Sequence, residues 1–192
     1  MPSIVLASTS RYRAELLARL QLPFEAVAPN VEEPPGAHES PHATAMRLAV
    51  EKAHAVASSH LNSLIIGSDQ VAHQDSFIYG KPGTRTNARI QLQAMRGKEI
   101  VFETGLCVLD TRTGIHEVRN EVTHVGFREL TDREIENYLD REDALNCAGS
   151  AKSEGLGISL LRYIRGDDPN ALIGLPLIAL CDMLRARGVE LP

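Results

Sequence analysis

The chain is poor in cysteine, in aromatic residues and in positive charge, and each shortage removes a class of protein. Its three cysteines, Cys107, Cys147 and Cys181, are odd in number, far apart and in neither CxxC nor Cys/His spacing, which argues against a disulfide framework or a structural zinc site. Tryptophan is absent and aromatics make up 4%, too few for an extended base-stacking platform. A formal net charge of −5 leaves no broad basic surface for a nucleic-acid polymer or an anionic membrane, so any anion site must be local. No window approaches the roughly 18 apolar residues of a membrane span, and no basic segment followed by a long apolar core opens the chain. A cytoplasmic protein with reduced thiols is expected. Also missing are GxxxxGK[ST], GxGxxG after a strand, GxSxG and HExxH. The seven histidines show no metal-ligand spacing; His38 and His42 are four apart, but Pro41 between them marks a helix start. With no repeat, low-complexity tract or linker, the 192 residues are expected to form a single domain.

What is present is an ordinary globular composition, 43% apolar and 23% charged, which supports a packed core. Residues 3–7 read as a short buried strand and 11–20 as a helix. Ser40-Pro41 opens a second helix running to about Ser58, with serine as cap and proline in the first turn. Leu64-Ile65-Ile66 reads as a short strand ending at Gly67-Ser68-Asp69, followed by alternation to Tyr79 and a break at Gly80-Lys81-Pro82. Thr86 is placed to cap a third helix that Gly97 closes. Residues 99–109 and 115–127 read as a hairpin, and Thr131-Asp132-Arg133-Glu134 as a capping box for a helix through Leu139. Residues 142–157 are polar and glycine-rich and are expected to be irregular, either functional or disordered. A strand over 158–164 and a helix from Pro176 follow. The class is α/β, with a mixed sheet because a hairpin sits inside it.

Chemistry is concentrated where the first strand hands over to the first helix. Ser8, Thr9 and Ser10 stand at a helix N-terminus whose free N–H groups favour an anion, and Arg11 and Arg13 follow in the first turn. Cations there oppose the helix dipole by up to about 1 kcal/mol each unless something negative is bound, and phosphate would satisfy the arrangement. The bland alternative is a capping Ser10 with arginines in water. Lys52 falls inside the apolar stripe Ala45, Leu48, Ala49, Ala53, Val56, and either snorkels over the core or reaches into a polar pocket. Lys81 is a phosphate-facing cation or a solvated turn residue. Asp69, at the expected end of a strand, is placed for a metal or a water, or stabilises a turn. Glu32 and Glu33 lie beside the rigid pair Pro34-Pro35, and the pattern alone does not say which turns inward.

Taken together, LASTSRYR, EEPP, RLAVEKA, IIGSDQV, GKP, CAGSAKSEGLG and GLPLIAL, in that order and over essentially the whole chain, resemble the Maf family of nucleoside triphosphate pyrophosphatases. The resemblance implies an elongated mixed sheet flanked by helices, related to inosine triphosphate pyrophosphatases, with a cleft between two lobes. It implies hydrolysis of a nucleoside triphosphate between the α and β phosphates, dependent on a divalent cation (Mg, Mn or Co), and a possible homodimer. By position, Asp69 matches the family's proton acceptor, Glu33 its acidic partner near the metal, and Ser8, Arg13, Lys52 and Lys81 its phosphate-facing residues, with Ser10 in the same cradle. The chain departs from the usual Ser-x-Ser-Pro-Arg-Arg opening: Arg11 stands in place of proline and Tyr12 in place of an arginine. Tyr12, Gln70 and Glu154 match the branch of the family that acts on 7-methyl-GTP, where the dTTP/UTP branch has Arg, Thr and Gln. Physics points the same way, because N7 methylation makes guanine a cation that an aromatic face attracts by roughly 0.5–2 kcal/mol. A carboxylate such as Glu154 accepts both N–H donors of the guanine Watson–Crick edge and suits uracil or thymine badly. The readings left open are dTTP/UTP hydrolysis and a non-catalytic nucleotide-binding regulator linked to cell division.

Overall fold

In the computed structural model, which describes residues 2–32 and 39–192, seven strands form one mixed sheet. Strands β1 (Ser3–Ala7), β2 (Phe24–Val27) and β3 (Ser63–Gln74) run parallel, with β1 in the middle. β4 (Phe77–Tyr79), β5 (Glu99–Asp110), β6 (Ile115–Phe127) and β7 (Leu161–Arg165) are added antiparallel, giving the order β2-β1-β3-β5-β6-β7 with β4 on β3. The helices are α1 (Arg11–Ala18), α2 (Pro41–Ala55), α3 (Arg85–Met95), α4 (Asp132–Leu139) and α5 (Leu177–Arg185). Among the described residues no helix is long and apolar enough to cross a membrane.

The local start signals act as the sequence suggests. Ser10 and Ser40 accept from the N–H groups of Arg13 and Ala43, and Thr131 with Glu134 forms a complete capping box. Helix α3 differs: its cap is Thr84, whose hydroxyl accepts from Asn87, so Thr86 lies inside the first turn. α5 has no side-chain cap of its own, since Pro176 precedes it. The carboxylate of the buried Asp168 takes that role from outside, accepting from the Ile178 N–H at 2.6 Å.

The largest departure from the sequence pattern is β3. It does not end at Gly67-Ser68-Asp69 but continues for twelve residues, because β5 pairs with it without interruption from Leu64 to His73. Its other edge is shared. β1 covers β3 only as far as Ile66, and β4 takes over only at Ala72, which leaves residues 67–71 without a strand on that side. Asp69 therefore lies mid-strand, yet beyond the carboxyl end of β1.

Glycines let α2 approach. A Cβ on Gly67 would sit 2.1 Å from the carbonyl oxygen of Ala49, and one on Gly105 would sit 2.2 Å from that of Ala45. The matching small residues Ala45, Ala49 and Ala53 are fully buried, so the helix lies directly on β3 and β5. One packed core gathers α1, α5 and the parallel strands through Leu6, Leu17, Ile66 and Leu180; another gathers α3, α4 and the far ends of β5 and β6 through Met95, Phe102, Phe127 and Ile135. A third packs α2 onto β1, β3 and β5 through Val5, Ala49, Ala53, Ile65 and Cys107. Elsewhere, residues 142–157 contain a short 3-10 turn at Ala148–Ser150, and the strand expected from residue 158 begins only at Leu161, after a 3-10 turn over Leu156–Leu160. The edge strand β2 is half-exposed along its length and carries no alternation strong enough to mark it in the sequence.

Candidate active site

Side chains alternate across a strand, and the open stretch of β3 uses both of its faces. Gly67 and Asp69 face α2. With no Cβ at Gly67, Lys52 comes close enough for its ammonium to donate to Asp69 Oδ1 at 2.6 Å, both residues being buried at 4% and 7% exposure. Lys52 does not snorkel; it is the polar tooth of an otherwise apolar helix face. Holding two ions out of water requires such pairing, and removing one partner from a buried pair typically costs about 3–5 kcal/mol.

Ser68 and Gln70 face the opposite way and hold a strap formed by residues 168–174. Ser68 Oγ lies 2.8 Å from the Gly105 carbonyl oxygen and 3.0 Å from that of Gly174. The Gln70 amide nitrogen donates to the carbonyls of Ala171 and Leu172 at 2.9 and 3.0 Å and reaches Thr104 Oγ1, its cross-strand neighbour, at 3.1 Å. The Thr104 hydroxyl donates to Ala171 as well. Arg13 completes the anchor, its Nε donating to the Gly174 carbonyl at 2.8 Å. Four side chains from three elements thus satisfy the backbone of a loop more than sixty residues away in sequence, so the strap is a fixed wall.

Between these parts lies a cavity of about 640 Å³. Ser8, Ser10, Arg13, Lys52, Asp69 and Lys81 line it, and so do Tyr12, Gln70 and Glu154. Every site residue expected from the sequence is in that lining except Glu33, which lies outside the described residues. The strand-to-helix turn is locally ordered: the Ser10 N–H donates to Ser8 Oγ at 3.1 Å and the Ser10 hydroxyl takes the Arg13 N–H at 3.4 Å. The helix itself offers no acceptor to the N–H groups of Arg11 and Tyr12. Lys81, following the β3–β4 hairpin, and Glu154, in the glycine-rich loop, are both exposed lining residues. Arg11 pairs with Glu15 at 3.0 Å in a largely solvated i,i+4 bridge.

Tyr12 is half-buried. Its phenol is held above the ordinary range, chiefly by burial, with Cys147 adding and Lys152 opposing. Cys147, also in the lining, has its thiol pushed up to about 11, again mainly by burial. Among the described residues no group of three or more His, Cys, Asp or Glu side chains is arranged to hold a metal. Sequence patterning missed Ser68, Thr104 and Asp168, whose partners lie too far along the chain to leave a local signal.

The α/β sheet thus opens a cleft at the carboxyl end of its parallel strands, lined by the buried Lys52–Asp69 pair and by further cations at Arg13 and Lys81, the place where ligands gather in sheets of this class. Residues 3–187 match the Maf family, described as Maf-like protein, and the chain belongs to that family. It is 58% identical to a 7-methyl-GTP pyrophosphatase of Aromatoleum aromaticum, covering 98% of this chain and 97% of that one. It is 54% identical to one of Methylobacillus flagellatus, over 99% of each chain, and 52% identical to one of Cupriavidus metallidurans, over 97% and 94%. Among solved structures, the Staphylococcus aureus Ham1 protein aligns with a TM-score of 0.43 and 12% identity, over 66% of this chain and 72% of that one.

Proposed function

We propose that this chain hydrolyses 7-methyl-GTP to 7-methyl-GMP and pyrophosphate, acting as a single Maf-like unit on the cytoplasmic nucleotide pool. The observation that carries the reading is the Lys52–Asp69 pair at the floor of a cavity that also holds Ser8, Ser10, Arg13 and Lys81. An anion-binding site alone has no use for a carboxylate beside phosphate; a site that activates water does. Relatives at 52–58% identity bearing the name 7-methyl-GTP pyrophosphatase support the substrate.

Asp69 orients the attacking water and takes its proton, with Lys52 fixing one carboxylate oxygen and leaving the other for that work. Water attacks the α phosphorus, the bond to the bridging oxygen breaks, and pyrophosphate leaves. Arg13, Lys52, Lys81 and the N–H groups at the start of α1 stabilise the charge that builds on the leaving group, so positioning and electrostatics supply the catalysis without a covalent intermediate. Gln70 holds the strap with its amide nitrogen and keeps its carbonyl oxygen for the nucleotide. Tyr12 offers a face to the cationic base, and Glu154 accepts from the guanine N1–H and N2–H.

The donor set fits a divalent cation that arrives with its substrate. Magnesium is held by one or two carboxylates together with phosphate oxygens rather than by a closed protein cage, and the described residues offer one buried acid here, Asp69, and no three-ligand cluster. Asp69, with Glu33, would hold it. When bound, such an ion neutralises triphosphate charge.

A panel of 7-methyl-GTP, GTP, dTTP, UTP and ATP with Mg²⁺, Mn²⁺ or Co²⁺, scored for pyrophosphate against orthophosphate, tests the proposal. Pyrophosphate release fastest from 7-methyl-GTP is expected. A preference for UTP or dTTP would overturn the substrate assignment, and binding without turnover of any nucleotide would make the chain a sensor. Sedimentation of the same preparation tests the homodimer that belongs to this reading.

A further inference from the structure

Two cations flank the Tyr12 ring. Arg11 Cζ lies 5.8 Å from its centroid and Lys152 Nζ 5.7 Å. A ring that is to receive a positively charged base is a poor place for two unneutralised cations, since like charges repel through it. Each has its own carboxylate. Arg11 pairs with Glu15, but those side chains are 77% and 61% exposed and water already screens them. Lys152 pairs with Glu142 at 2.8 Å, with exposures of 20% and 14%, where water screens little.

Glu142 is built into place. Its second oxygen accepts the Leu156 N–H at 2.9 Å, and a Cβ on Gly155 would meet that oxygen at 2.5 Å, so only glycine allows the carboxylate to sit there. Lys152 is fixed at its backbone too, its N–H donating to the Tyr138 hydroxyl at 3.1 Å, while a Cβ on Gly157 would strike its main chain. The glycines of the 152–157 loop thus hold one partly buried ion pair beside the Tyr12 ring. The pair holds the Glu142 carboxyl below its ordinary range, the Lys152 ammonium being the leading cause.

We infer that Glu142 is a specificity residue acting through Lys152: by cancelling the ammonium next to Tyr12 it keeps the base pocket permissive to a cationic purine, and without it the pocket favours the neutral one. This rests on the 7-methyl-GTP reading above and adds an electrostatic determinant to Tyr12, Gln70 and Glu154. Glu142 touches neither base nor phosphate in this account and is a positioning residue.

The test is the ratio of kcat/KM for 7-methyl-GTP to that for GTP, backed by the ratio of dissociation constants for 7-methyl-GMP and GMP from calorimetry. A ratio between substrates is insensitive to the fraction of enzyme that is folded. Glu142→Gln should lower both ratios about fivefold, the size of a like-charge repulsion at about 9 Å in a partly solvated site. Lys152→Met should hold or raise them, and the double variant should return them to the wild-type value. Glu15→Gln, at the solvated pair, should leave them unchanged. Equal losses on both substrates in Glu142→Gln, with no recovery in the double variant, would mean a merely structural role and overturn the inference. A wild-type protein with no preference for the methylated base would instead refute the substrate reading on which it stands.

Discussion

The approach of α2 to the sheet is the mechanical condition for the Lys52–Asp69 pair, and Gly67→Ala tests it. The added Cβ would lie 2.1 Å from the Ala49 carbonyl oxygen, 2.9 Å from the Ala53 nitrogen and 3.1 Å from its Cβ. Two of these are backbone atoms, so no rotamer change relieves the clash. The helix must retreat by roughly 1 Å to restore ordinary contact distances. Lys52 rides on that helix, one turn past Ala49, and Asp69 lies two residues past Gly67 on the same strand face. Overpacking of this kind costs about 1–3 kcal/mol, and in a chain of this size about 2 kcal/mol lowers Tm by roughly 4–8 °C. A displacement of about 1 Å between catalytic groups costs on the order of 100-fold in rate. The assay is thermal melting followed by circular dichroism, together with pyrophosphate release at a temperature where both proteins are folded. Gly114→Ala is the control, because a Cβ there meets nothing within 4 Å and only its positive φ of 73° is strained. A Gly67→Ala protein with wild-type Tm and turnover would refute the claim that this glycine sets the Lys52–Asp69 distance.

Other outcomes follow from the same structure. Asp69→Asn should lower pyrophosphate release by about 10²–10⁴-fold, the usual contribution of a general base, while nucleotide binding measured by calorimetry persists. Glu154→Gln should weaken 7-methyl-GTP turnover far more than UTP turnover, and equal losses would remove its base-reading role. Cys107 is buried in the sheet with its thiol pushed up from 9.0 to about 12 by desolvation. Because the folded value is the higher one, its contribution is intact below pH 9 and is lost as the pH rises from 9 through 12; denaturant melts across that range should show falling stability, less so in Cys107→Ala. Cys147, at about 11, is about 0.1% thiolate at pH 8 and should resist alkylation by iodoacetamide in the native protein.

Much of the site was legible because its first half is local. A strand running into three hydroxyls and two arginines states its chemistry within a dozen residues, and Lys52 announces itself by interrupting an apolar stripe. Helix starts at Ser40 and Thr131 and the 99–127 hairpin were equally local. What the pattern did not carry is set by distant contacts. Asp69 reads as the end of a short strand because Gly67-Ser68-Asp69 resembles a turn, whereas pairing with β5 overrides that propensity and extends β3 to Gln74. The strap is secured by Ser68, Gln70, Thr104 and Arg13 across 67 to 161 residues of chain, and no spacing rule exposes such bonds. Gln70 illustrates the difference: its match to the 7-methyl-GTP branch of the family implies a specificity role, and the structure adds that its amide nitrogen is already spent on the loop that shapes the cavity. The Glu142–Lys152 pair is ten residues apart in a segment without periodicity, so only the folded chain joins it to Tyr12.

The central claim is that water activated at Asp69 attacks the α phosphorus of a bound nucleoside triphosphate. Turnover of 7-methyl-GTP in ¹⁸O-labelled water, with mass spectrometry of both products, tests it most directly. The account predicts one heavy oxygen in 7-methyl-GMP and none in pyrophosphate. Label in pyrophosphate or in free orthophosphate would place the attack on another phosphorus and contradict it.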